Sequence, residues 1–180
     1  MKHKIPENLK FWQDHIAVLF LVQEEMRRLD KLGVWQYYYP ELAATEEQLV
    51  VVEAYLGHPI DKSYRDFLLC ANGWKGFIQT VDLFGTGDLM GSGLMDYANA
   101  MLEILDNENV IESSGFLITD LLPIAATTKD KHLFVITHSN SSQPGIVIWF
   151  INEEIERFLN FEEYFLAMTD YNRLEIEGFR

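Results

Sequence analysis

The chain has 180 residues, with 14 Lys and Arg against 28 Asp and Glu, for a net charge of −14 at neutral pH. That surplus excludes direct nucleic-acid binding and adhesion to an anionic membrane, since both need clustered Lys and Arg. An apolar share of 48% and an aromatic share of 13% exclude a disordered acidic tail and point to one domain, residues 1–180, whose core needs no disulfide or metal.

Cys70 is the sole cysteine, so the sequence carries no sign of an oxidising compartment. Lys2, Lys4 and Lys10 precede an apolar run from Ile16 to Val22, as in a leader. However, Glu7 and Asp14 interrupt the approach, and Gln23-Glu24-Glu25 follows where small residues would mark cleavage. The run is also too short to span a bilayer. The expected location is the cytosol.

Glu7 to Leu32 reads as a long first helix. Leu9, Trp12, Ile16, Leu19, Val22, Met26 and Leu29 recur at steps of three and four, and Gly33 stops it. An aromatic loop, Trp35 to Tyr39, leads to Pro40, which forces extended backbone before it. Thr45-Glu46-Glu47-Gln48 is a capping box for a second helix ending at Gly57. Asp61 or Ser63 opens a third, and Asn72-Gly73 is expected to close it. Phe77 to Phe84 reads as extended chain, and Leu94 to Leu105 as a fourth helix after a Gly-rich stretch. Leu122–Thr127, His132–His138 and Gly145–Ile151 are strands rich in β-branched residues. Their short turns favour antiparallel neighbours. Phe161 to Asn172 is a closing helix. Helices first and strands later give an α+β fold, a mostly antiparallel sheet flanked by helices.

The order of these motifs resembles the SUKH superfamily, the Smi/Knr-type domain. Carrying the resemblance are Glu53 before Leu56-Gly57, Pro59, Tyr64-Arg65-Asp66-Phe67-Leu68, Asn72-Gly73, Leu83-Phe84-Gly85, Leu122-Pro123-Ile124 and Phe161-Glu162-Glu163-Tyr164-Phe165. The family core would span 45–168, with the N-terminal helix and aromatic loop of 1–40 added to it. The resemblance implies a non-enzymatic binding domain. Most bacterial members are similar to immunity proteins that neutralise a cognate toxin, often a nuclease. Eukaryotic relatives resemble regulatory scaffolds.

The charge is unevenly placed. Residues 1–40 have a net charge of +1, and residues 41–180 have −15. Between Gly76 and Thr128 there is no Lys or Arg, but there are eight acids: Asp82, Asp88, Asp96, Glu103, Asp106, Glu108, Glu112 and Asp120. They form either a solvated face or a steering surface for a basic protein partner such as a toxin domain. Trp74, Phe77, Tyr37 and Tyr38 are candidate anchors for that partner, with core packing as the alternative. The oligomeric expectation is a monomer or a weak homodimer.

Enzyme signatures are weak. Gly85-Thr86-Gly87-Asp88-Leu89-Met90 has the place of a dinucleotide fingerprint, but Met90 replaces its third Gly and Asp88 would oppose an anion. His132 and His138 lie about 20 Å apart along a strand, too far to share an ion. His58 has no evident partner. Cys70 lacks a neighbouring cation and reads as a structural thiol. No catalytic residue, metal or cofactor is expected, and a small hydrolase or nucleotide-binding enzyme ranks last.

Overall fold

The computed structural model describes residues 5–180. Lys2 and Lys4, weighed above as the start of a leader, lie outside the described residues. No described helix is long and apolar enough to cross a membrane.

Helix α1 (Glu7–Leu29) buries Trp12, Leu19 and Met26 at intervals of seven, together with Gln23. It ends at Leu29, the last residue of its apolar pattern and three residues short of the expected Leu32, because of Asp30. That carboxylate accepts hydrogen bonds from the Val34 and Trp35 N–H groups (2.9 and 3.0 Å) and from the Tyr37 hydroxyl (3.1 Å). The turn around Gly33 is therefore built by a side chain ahead of it. Helix α2 (Glu46–Leu56) begins at the expected capping box on Thr45 and ends at left-handed Gly57. Helix α3 (Lys62–Leu68) starts at Asp61, whose carboxylate accepts from the Ser63 and Tyr64 N–H groups.

Among the described residues the strands form a six-stranded antiparallel meander, in the order β1 to β6. These are β1 (Trp74–Ile78), β2 (Val81–Leu83), β3 (Leu121–Ala126), β4 (Leu133–Thr137), β5 (Val147–Phe150) and β6 (Glu154–Phe158). The expected extended stretch from Phe77 to Phe84 is a hairpin, turned at Gln79 with φ 51°. Between β2 and β3 lie α4 (Thr86–Leu89), α5 (Gly93–Asn107), α6 (Val110–Ser113) and a 3₁₀ turn (Ile118–Asp120). Helix α7 (Phe161–Gly178) closes the chain, six residues beyond its expected end at Asn172.

Every residue of β3 and β4 is buried, because helices cover both faces of the sheet. Phe134 of β4 packs on Tyr164 of α7 at 5.2 Å. Alternate residues of that strand face the other way, where α5 lies against β3 and β4. The aromatic centre joins α1, α3 and α7, with the Trp12 ring 5.6 Å from Phe67, 5.4 Å from Phe161 and 5.3 Å from Phe165. The added N-terminal helix is thus packed on its own fold. The architecture is α+β, as expected. Strand β6 was not foreseen, since Glu154, Glu156 and Arg157 mask its alternation.

Candidate protein-binding site

The site is built on the short motifs of the first half of the chain. The Tyr64 hydroxyl, fully buried, donates to the Phe84 carbonyl at 2.6 Å. The Asn72 carboxamide accepts from the Thr86 N–H (2.7 Å) and donates to the Thr86 hydroxyl (2.8 Å). Gly73 has φ +92°, and a Cβ there would lie 2.7 Å from the Gly85 nitrogen; a Cβ on Gly85 would lie 2.1 Å from the Asn72 carbonyl oxygen. Two glycines therefore let two backbones touch. This corrects the sequence reading of Gly73 as a helix cap: α3 ends at Leu68, and Leu69 is right-handed. Glu53 accepts from the Ile60 N–H (3.1 Å) and from Arg65 Nε (3.2 Å), while Arg65 also pairs with Glu46 at 2.8 Å. These bonds brace α2, α3 and residues 84–86 into one wall.

The Gly-rich stretch is consequently fixed. Asp88 accepts from the Gly85 N–H (3.0 Å) and from the Ser92 hydroxyl (2.9 Å). The loop's own carboxylate occupies an N–H that a phosphate would need.

Above this wall opens a cleft of about 590 Å³. Glu41, Leu42, Gln48, Asp82, Asp88 and Ser92 are among the residues that line it, with Lys75 as its cation. Burial pushes the Asp82 carboxyl up, partly countered by the Gly76 N–H, which donates to it at 2.8 Å. Next to the cleft, and sharing Gln48 and Gly87 with it, lies an apolar shelf that includes Val51 and Met90. Leu42 is 90% exposed, Val51 56%, Tyr55 59% and Met90 37%. The sequence held a signal for this patch. Val50, Val51 and Val52 are consecutive in α2, and one buried stripe can take only part of such a run.

The eight acids divide into two groups. Asp82 and Asp88 face the cleft but carry structural hydrogen bonds. Asp120, half-buried, accepts from the Leu117 N–H (3.0 Å) and caps the 3₁₀ turn. Asp96, Glu103, Glu108 and Glu112 are exposed and Asp106 is half-buried, along α5, its end and α6. Among the described residues, none of the eight belongs to an ion pair. Every bridged acid lies outside 76–128.

The aromatic candidates need correction. Trp74 is 1% exposed and Phe77 fully buried, so neither can anchor a partner. The Trp74 indole N–H donates to the Tyr38 carbonyl (3.1 Å), and Phe77 packs on Tyr164 and Phe165 at 5.9 and 5.3 Å. Both lie in β1, where Lys75 is the one exposed residue. Tyr37 is half-buried and committed to Asp30; burial and that carboxylate push its hydroxyl upward. Tyr38 is exposed, with its hydroxyl donating to Gln36 at 2.5 Å.

His58 does have a partner: its ring stacks on His138 at 3.8 Å. Burial, then the neighbouring His58, lowers the His138 pKa. His132 is used elsewhere, accepting from the Trp149 indole N–H at 2.9 Å. Cys70 is half-buried and directs its thiol at the Leu9 carbonyl (3.6 Å); burial pushes its pKa up. Among the described residues no three His, Cys, Asp or Glu side chains gather as a metal site.

No curated protein matches the sequence. A family model does: residues 43–167, from just before α2 into α7, match the SMI1 / KNR4 family (SUKH-1). The match contains the whole brace and all six strands, and the chain belongs to that family.

Proposed function

We propose that this chain is a non-enzymatic, cytosolic immunity protein of bacterial type. It would neutralise one basic toxin domain, such as a nuclease, by stoichiometric binding. The observation that carries this reading is the uncompensated charge between residues 76 and 128, set beside a cleft with an exposed apolar rim. Unpaired carboxylates on α5 and α6 speed the encounter with a basic partner, and desolvated apolar contacts hold it. Leu42, Val51, Tyr55 and Met90 take the anchoring role first assigned to Trp74 and Phe77. Tyr38 remains an anchor at the far side of β1. The regulatory-scaffold reading shares the same surface but lacks a toxin. Finding a multidomain toxin gene beside the gene for this chain would favour immunity over the scaffold reading.

The test starts with a pull-down from the native host and identification of the bound protein. Association is then measured by stopped flow for wild type and for Glu103→Lys with Glu108→Lys. Association slower by about tenfold at low salt, converging with wild type at high salt, supports steering. Equal rates at low salt remove the acidic surface from the mechanism.

A further inference from the structure

The two edges of the sheet are treated differently. The edge strand β1 is covered. Gln23, only 4% exposed, donates its amide to the Gly76 and Phe77 carbonyls (2.9 and 3.1 Å), and Asn172 donates to Phe77 as well (3.0 Å). The Glu41 N–H donates to the Gly73 carbonyl just before the strand (3.0 Å).

Strand β6, at the other end, has β5 as its only sheet neighbour among the described residues. Among the described residues, the backbone hydrogen bonds made outside helices and strands include none from residues 154–158. The nearby side chains bond elsewhere. Arg157 takes Glu154 and the Ser114 carbonyl, both at 2.7 Å, and Tyr171 donates to Glu156 at 2.8 Å. Outward N–H and C=O groups of β6 therefore have no partner, and their alternation is interrupted by a bulge at Ile155, which the register skips between Glu154 and Glu156. Ile155 is 45% exposed, Leu159 70% and Leu117 66%.

We propose that the outer edge of β6 accepts an extended, basic segment of a partner protein as a further antiparallel or parallel strand. Main-chain hydrogen bonds would give affinity, and side chains on the two faces would select the sequence. Charge decides the occupant. Glu153 is exposed just before the strand, Glu162 and Glu163 are exposed just after it, where they accept from the Ser63 hydroxyl and the Leu159 N–H, and Glu154 and Glu156, bonded by Arg157 and Tyr171, lie within it. Its one cation, Arg157, is consumed by Glu154 and sits over the Phe116 ring at 5.1 Å. A second copy would bring the same carboxylates face to face, which opposes self-pairing. Lysines or arginines on an incoming strand meet the glutamates, and the apolar residues between them meet Ile155 and Leu159. This surface lies four strands from β2 and its cleft, roughly 19 Å across the sheet, and does not depend on the function proposed above.

The experiment uses the full chain and a short acetylated, amidated peptide alternating lysine with valine. A second peptide of the same sequence, N-methylated throughout, keeps the charge and loses the backbone donors. Hydrogen exchange is followed by mass spectrometry, affinity by calorimetry and mass by analytical ultracentrifugation. The expected result is slowed exchange at 154–158, unchanged exchange at 74–78, and no protection from the N-methylated peptide. Ile155→Lys, at an exposed position, weakens the first peptide by about fivefold. Glu103→Lys, on α5, leaves that protection in place even if it abolishes toxin binding, so the two surfaces are tested apart. Equal binding of both peptides reduces the effect to charge and overturns the proposal. So does protection confined to the cleft, or a dimer whose β6 is already protected without peptide.

Discussion

Asn72 holds Thr86 at two points, accepting from its N–H at 2.7 Å and donating to its hydroxyl at 2.8 Å. The pair locks the end of the α3 segment to the start of the Gly-rich wall, and Thr86 itself is 7% exposed. Asn72→Ala leaves two buried polar groups unpaired, so it should cost about 1–3 kcal/mol and lower the thermal midpoint by roughly 2–12 °C. Gly85→Ala should cost more, because its new methyl group meets the Asn72 carbonyl at 2.1 Å and backbone cannot swing aside. Scanning calorimetry of both variants checks the order. A Gly85→Ala protein as stable as wild type would mean that the close approach of the two backbones does not hold the wall.

Two buried tyrosines should respond oppositely to loss of the hydroxyl. Tyr64 donates to the Phe84 carbonyl at 2.6 Å, and Tyr64→Phe leaves that carbonyl without its partner, at a cost of about 1–2 kcal/mol. The Tyr164 hydroxyl is buried and has no hydrogen-bond partner among the described residues. Tyr164→Phe removes an uncompensated polar atom and should be neutral or stabilising by about 1 kcal/mol. Urea unfolding of the two variants against wild type decides the matter. Equal losses would show that Tyr164 is satisfied by water.

Much of this contrast lay outside the reach of sequence. Local rules sufficed where one short segment contains both donor and acceptor: the Thr45 capping box, the Asp61 cap and the spacing of Trp12, Leu19 and Met26 on α1. They failed where a partner arrives from far along the chain. Tyr64 and Phe84 are twenty residues apart, so a tyrosine that holds the wall and one that only fills the core look alike in the sequence. Trp74 and Phe77 resemble interface aromatics for the same reason. The acidic stretch was visible as composition, but which acids are free depends on turns that bring N–H groups from three to six residues away to Asp82, Asp88 and Asp120, and composition does not show them. Conversely, the exposed valines of α2 were readable as an excess over one stripe.

The His58–His138 stack makes stability depend on pH. Burial first, and the neighbouring His58 second, lower the His138 pKa below its ordinary 6.5, with Asp120 pulling weakly the other way. A histidine with a depressed pKa binds its proton more readily in the unfolded chain. Its neutral form is fully accommodated above the ordinary value, and stability is lost as pH falls from there toward the lowered pKa. Replacing the neighbour, in His58→Asn, removes the ring that lowers the His138 pKa and opens His138 to water, and both changes raise that pKa. An NMR titration of the ring protons should show that rise, and the urea midpoint should fall less between neutral pH and mild acid. An unmoved His138 titration would show that the stack does not exist in solution.

The unpaired acids should also be detectable without any partner. Helix α5 has no basic residue in its last turn, while Glu103, Asp106 and Glu108 lie at or beside that end, where a negative charge opposes the helix dipole. Glu103 and Asp106 repel each other at the i, i+3 spacing of helical neighbours, Glu108 adds charge at the C-cap, and none has an ion-pair partner among the described residues. Raising salt shortens the Debye length toward the distance between such neighbours, from about 20 Å at low salt to about 6 Å at 0.3 M. The wild-type midpoint should therefore rise with sodium chloride over that range. The triple variant Glu103→Gln, Asp106→Asn, Glu108→Gln should start roughly 1–4 °C higher at low salt and gain less from added salt. Differential scanning fluorimetry across a salt series measures both. A wild-type midpoint that is flat or falls, or a variant with the same salt slope, would mean that this stretch is compensated by cations brought in from elsewhere on the surface and is not a free field for steering.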